Sequence, residues 1–139
     1  MKKITIFLVL LLLISCAKKE ASKTMSNISN NRVIELVEAL EAEVNNGGFD
    51  QFYFNSLGDH VEQTVKALNL IGAIQTAKIV TRTSWEFPDG VPSRDRITRQ
   101  IQLEKISPDS ELFEAADDEF MEYKEDISEL LQEYIKGNR

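Results

Sequence analysis

Asn45-Asn46-Gly47-Gly48-Phe49-Asp50-Gln51-Phe52-Tyr53-Phe54-Asn55 is the stretch on which the reading of this chain turns. Paired Asn and Gly residues favour positive φ, and glycine inside a helix costs about 1 kcal/mol, so a helix arriving from the N-terminal side is expected to end there. Upstream, Val33, Leu36, Val37, Leu40 and Val44 recur at helical spacing with Glu35, Glu38, Glu41 and Glu43 between them, which predicts an amphipathic helix over 32–46. Downstream, four aromatic rings fall within the six positions from Phe49 to Phe54, a density that marks core packing. Asn46, Asp50, Gln51 and Asn55 frame those rings. Polar residues so placed either satisfy loop backbone groups, which is the first reading, or line a pocket that the Gly47-Gly48 loop opens to a ligand.

Further along, Asp59 is expected to cap a helix running through Val61, Val65, Leu68 and Ile71, and Gly72-Ala73 would let a neighbouring segment approach closely. From Ala73 to Ser84, Ile74, Ala77 and Val80 keep helical spacing, but Ile79-Val80-Thr81 and Thr83 are β-branched and would also suit a strand. Local propensity leaves that segment open. Phe87-Pro88-Asp89-Gly90-Val91-Pro92 is the clearest loop, and Ser93 is placed to cap a helix carrying Ile97 and Ile101. The arginines beyond it, Arg94, Arg96 and Arg99, are expected to pair with acids of the same domain.

The strongest helix signal runs from Asp117 to Lys136. Phe120, Tyr123, Ile127, Leu130, Leu131, Tyr134 and Ile135 form an apolar stripe, and Asp118, Glu122, Glu125, Glu129 and Glu133 follow helical steps on the other side. Residues 109–133 carry eleven acidic side chains against Lys124 alone, a net charge of −10. A solvated helix face explains such a stripe most simply; a surface for a basic protein is the sharper reading.

The chain has 139 residues, one cysteine, one histidine and a net charge of −7. That length suits one domain. One thiol excludes internal disulfides and cysteine-based zinc sites, and the negative charge argues against direct nucleic-acid binding. His60 stands alone without HExxH, GxSxG, paired-carboxylate or phosphate-loop motifs, so no catalytic residue, metal site or cofactor is expected and the chain reads as a non-enzyme.

Cys16 has its own context. Lys2 and Lys3 precede an almost wholly apolar run from Ile4 to Ile14, too short for the roughly 20 residues that span a bilayer. It ends in Leu13-Ile14-Ser15-Cys16, which resembles the bacterial lipobox. That resemblance implies removal of residues 1–15 as a signal peptide and acylation of Cys16, with chains whose burial contributes about 0.8 kcal/mol per CH₂ to membrane anchoring. The rest of the chain would then carry −9. Residues 16–30 read as the lipidated cysteine and a flexible polar tether, and 31–139 as the folded domain. Ala17 rather than Asp after the cysteine is compatible with the outer membrane, on either face.

Asn46 to Ser56, Ala67-Leu68 with Ile71-Gly72-Ala73, Phe87-Pro88 and Pro92, and the ending marked by Asp117 to Phe120, Glu125-Asp126-Ile127, Leu130 and Tyr134-Ile135 together resemble the DMP-type DNA-mimic family. The resemblance covers roughly residues 31–138. It implies an all-α, single compact domain of about five to six helices, which tips 79–83 toward helix. It also implies that acidic side chains stand in for DNA phosphates, with the stripe on the last helix as the natural candidate. An acylated envelope protein does not meet a cytoplasmic regulator, so fold transfers more readily than mimicry.

The sequence is thus read as an envelope lipoprotein with an acidic helical domain that binds another protein through a basic surface. The alternatives are a small-ligand or enzymatic pocket around residues 46–55, and an immunity-type protein that neutralises a toxin.

Overall fold

The structure is a computed structural model that describes residues 28–138. The expected signal peptide, the expected lipidation of Cys16 and the expected tether up to residue 27 lie outside the described residues. Ser29 opens the first helix, its hydroxyl accepting from the Arg32 amide, and α1 runs Asn30–Phe54 with a break at Gly47 and Gly48. Val33, Leu36, Val37, Leu40 and Val44 are fully or almost fully buried along its first part, as their spacing predicts. After the break, Phe49, Phe52 and Tyr53 continue the same buried side.

A 3-10 turn, Ser56–His60, leads to α2, Val61–Ile71, and Gly72 at φ +88 ends it in the left-handed region. Asp59 does not cap α2; its carboxylate turns inward to Arg99, and His60 takes the cap position without a side-chain bond. The ambiguous segment is helical: α3 spans Ile74–Ser84, with Ile79, Val80 and Thr83 buried. Packing against α2 and the later helix Glu114–Met121 outweighs β-branched propensity here.

Beyond the Pro88–Gly90 turn, α4 spans Arg96–Ile106, and its cap is Asp95, not Ser93. The Asp95 carboxylate accepts from the Thr98 amide and hydroxyl, which holds its pKa below the usual range. Ile97 and Ile101 face solvent, and the buried side of α4 is Arg99 and Leu103.

The single helix expected from Asp117 to Lys136 is two. α5 spans Glu114–Met121 and α6 spans Ile127–Gly137. Tyr123 between them sits at φ +44, and Asp126 caps α6 by accepting from the Glu129 amide. Asp126-x-x-Glu129 has the spacing of a capping box, a start signal hidden inside an unbroken periodicity.

Six α-helices and no strand occur among the described residues. α1 runs through the middle, packed on α2, α4, α5 and α6, while α3 bridges α2 and α5. Around its second half the rings of Phe49, Phe52, Tyr53, Phe87, Phe113 and Phe120 interlock, Tyr53 lying 4.6 Å from Phe87 and 5.5 Å from Phe113. The Tyr53 hydroxyl meets Thr83 Oγ1 at 2.9 Å, and burial pushes its phenol pKa strongly upward. Among the described residues no helix is long and apolar enough to cross a membrane.

Candidate functional site

Gly48 lies at φ +68, ψ −170, a conformation open essentially to glycine alone. The helix restarts at Phe49, whose amide has no partner in its own turn, and it donates instead to Asp117 Oδ1 at 2.8 Å. Asp117 comes from α5, so the break is stitched shut by a residue far along the chain. A Cβ on Gly48 would collide with that carboxylate.

The amide side chains around the break bond to one another. Asn46 Nδ2 donates to Gln51 Oε1 at 2.9 Å, and Gln51 Nε2 and Asn55 Nδ2 both donate to Glu43 Oε2, at 2.7 and 2.8 Å. Asn46, Gln51 and Asn55 therefore brace the two halves of α1. Phe49 belongs to the aromatic core, and a Cβ on Gly47 would press into the Gln51 side chain.

Beneath this, Arg99 is wholly buried and clamps the C-terminal end of α1. Its Nε and Nη2 donate to the Tyr53 and Asn55 carbonyls at 2.7 and 2.9 Å, and its Nη1 donates to the Ser93 carbonyl at 2.7 Å. Asp59 lies 2.6 Å from Nη2 as the counter-charge, close but not aligned as a hydrogen bond. Gly58 admits the guanidinium, since a Cβ there would strike it. Arg94 pairs with Glu62, and no ion pair to Arg96 occurs among the described residues.

On the outer side of the break an open groove of about 710 Å³ runs between the second half of α1, α4 and the segment leading into α5. Its lining includes three exposed apolar side chains, Phe54, Ile97 and Ile101, at 52%, 65% and 49%, and three carboxylates, Asp50, Glu104 and Asp117. Burial pushes the carboxyl pKa of Asp50 up, the neighbouring Ser107 hydroxyl opposes this, and the charge of Asp109 adds to it. Asp117 is raised by burial, against the Phe49 amide, and further by Asp50, Asp118 and Glu114.

The five acids expected on one helix face are dispersed. Asp118 is exposed on α5, and Glu122 follows that helix and pairs with Lys124 at 2.9 Å. Glu125 is half-buried and structural, its carboxylate accepting from the Gln75 and Thr76 amides at 2.9 and 3.0 Å at the start of α3. Glu129 and Glu133 are exposed on α6. A different crowding appears at Glu41, whose carboxyl pKa is raised by burial and by the charges of Asp126 and Glu38, against the Tyr123 hydroxyl. Among the described residues, Glu38, Glu41, Asp50, Glu114, Asp117, Asp118, Asp126, Glu129 and Glu133 have no salt-bridge partner.

Glu43, Glu104, Ser107 and the capping role of Asp117 are missed by sequence reasoning. Each acquires its role from a neighbour distant in sequence or across the break, and periodicity carries no such information.

A family model described as DMP19-like protein matches residues 29–138. No curated protein and no solved structure matches the chain.

Proposed function

The chain belongs to the DMP19-like family, and from that premise we propose that it is a non-enzymatic bacterial envelope lipoprotein whose acidic helical domain binds a basic surface of another protein. The observation that carries the reading is the set of carboxylates on α1, α5 and α6 without a salt-bridge partner among the described residues, some with pKa raised by burial and by one another's charge. Unneutralised like charges destabilise the free domain slightly, and a basic partner relieves that repulsion while being steered toward the surface. Phosphate-like presentation of acids, as the family's name for DNA mimicry suggests, would draw on several helices, since no single helix carries an unbroken stripe. An immunity-type role would use the same surface with a toxin as partner. Acylated Cys16 supplies the membrane contact in this reading, holding the domain at the outer membrane.

Crosslinking in intact cells, followed by capture of the chain, tests the binding role. Reversing Glu38, Asp118, Glu129 and Glu133 to lysine is expected to remove the captured partner. Recovery of the same partner in undiminished amount would refute the reading. For the anchor, Cys16→Ala should abolish metabolic labelling with palmitate and release the chain from the membrane fraction; an unlabelled wild-type chain would contradict it.

A further inference from the structure

We propose that the groove beside the break in α1 docks a short segment of a partner protein in which a lysine or arginine is flanked by apolar residues. This rests on the reading of the domain as a protein-binding module and assigns a second, more specific contact within it.

The groove combines exposed apolar side chains with carboxylates. Phe54 ends the second half of α1, while Ile97 and Ile101 stand one turn apart on α4, and all three are exposed. Gln100 fixes the relation between the two elements by donating to the Phe54 carbonyl at 2.9 Å, so these apolar side chains stand on rigid helices rather than a loop. In the same groove, Asp50 and Asp117 are half-buried and have no cationic partner among the described residues. A lysine or arginine lays its aliphatic stem on apolar surface while its charged head reaches polar groups, which matches this mixed lining.

Ser107, only 5% exposed, lines the groove beside Asp50, and its neutral hydroxyl leaves the charge of that carboxylate unanswered. The volume lies within the range of about 300–1,000 Å³ that ligand clefts occupy. An anionic lipid surface would be repelled by the three carboxylates, and an uncharged apolar segment would leave them unanswered. Among the described residues no group of three or more acids and histidines is arranged for a metal ion.

The test uses the full chain and a short synthetic peptide alternating leucine and lysine, with one photoreactive leucine. Crosslinks are expected at Phe54, Ile97 or Ile101. The affinity should fall at least about tenfold for Phe54→Ser combined with Ile101→Ser, and likewise for Asp50→Asn combined with Glu104→Gln. Phe54, Ile101 and Glu104 are exposed, so the apolar pair changes the groove without entering the core. Glu129→Lys with Glu133→Lys, which tests the broader acidic surface, should leave peptide crosslinking in place; its loss of the cellular partner alone would therefore not bear on the groove. Equal binding of an oligolysine lacking leucine would overturn the proposal. So would crosslinks placed elsewhere, or a groove already occupied by residues 17–27 of the same chain or by a second copy.

Discussion

The two sides of the second half of α1 are built from the same few residues and finished very differently. Inward, Phe49, Phe52 and Tyr53 are wholly buried, the Tyr53 hydroxyl is bonded, and Arg99 meets the carbonyls of Tyr53, Asn55 and Ser93. Outward, Asp50 has no cationic partner among the described residues, and Phe54, Ile97 and Ile101 are about half exposed or more. The contrast separates what holds the domain from what it presents. A side that is closed in both packing and hydrogen bonding gains nothing from a partner, whereas the outer side has uncompensated charge and open apolar area.

Breaking the inner side should have the largest effect. Arg99→Met leaves three carbonyls without their donor and Asp59 without its counter-charge, and is expected to cost about 3–5 kcal/mol in denaturant unfolding, the range for breaking a buried pair. Gly48→Ala comes next. It forces a side chain into the glycine-only conformation and against Asp117, and should lose about 2–3 kcal/mol while leaving the aromatic core intact in composition. A smaller loss distinguishes two acids that look alike in sequence. Glu125→Ala removes the carboxylate that accepts from the α3 amides and should cost about 1 kcal/mol, whereas Glu133→Ala on exposed α6 should stay within about 0.5 kcal/mol.

The smallest effect belongs to the outer side and has the opposite sign. Asp50 has a carboxyl pKa raised in the folded state, so the folded chain holds that proton more readily than the unfolded one. Its contribution to stability is therefore greatest at low pH and declines as pH rises through the ordinary carboxylate range and past the raised value. Asp50→Asn should stabilise the domain at pH 7 by about 0.5 kcal/mol, a modest amount because solvent screens a half-exposed group, and the gain should vanish near pH 3. A pH-independent change would mean that burial and neighbouring charge are not what raise Asp50.

Much of the inner side is legible in the residues themselves. Asn45 to Gly48 announces the break, the ring density from Phe49 announces the core, and the helical spacing of Val33 to Val44 locates the face of α1 that is buried. The outer side is far less so. Ile97 and Ile101 mark the helix after the proline loop, but its buried position falls to Arg99, whose guanidinium finds carbonyls and Asp59 from other elements. The break between α5 and α6 is invisible to periodicity, since Phe120, Tyr123, Ile127 and Leu130 keep step across it; only the Asp126 cap with Glu129 three residues on signals a new start. That break disperses the acidic stripe and turns Glu125 into a cap. The groove joins residues from Gly47 to Asp117, and its composition exists only once the chain is folded.

The account's central claim is that the outer side of the break is the surface that meets a partner. A photoreactive residue placed at Phe54 in intact cells, beside the same residue placed at the exposed Glu35 on the first half of α1, tests it most directly. The account predicts a discrete protein crosslinked from position 54, absent from position 35 and lost when Asp50 and Glu104 are neutralised. Crosslinks of equal yield and identity from both positions, or none from position 54, would contradict it.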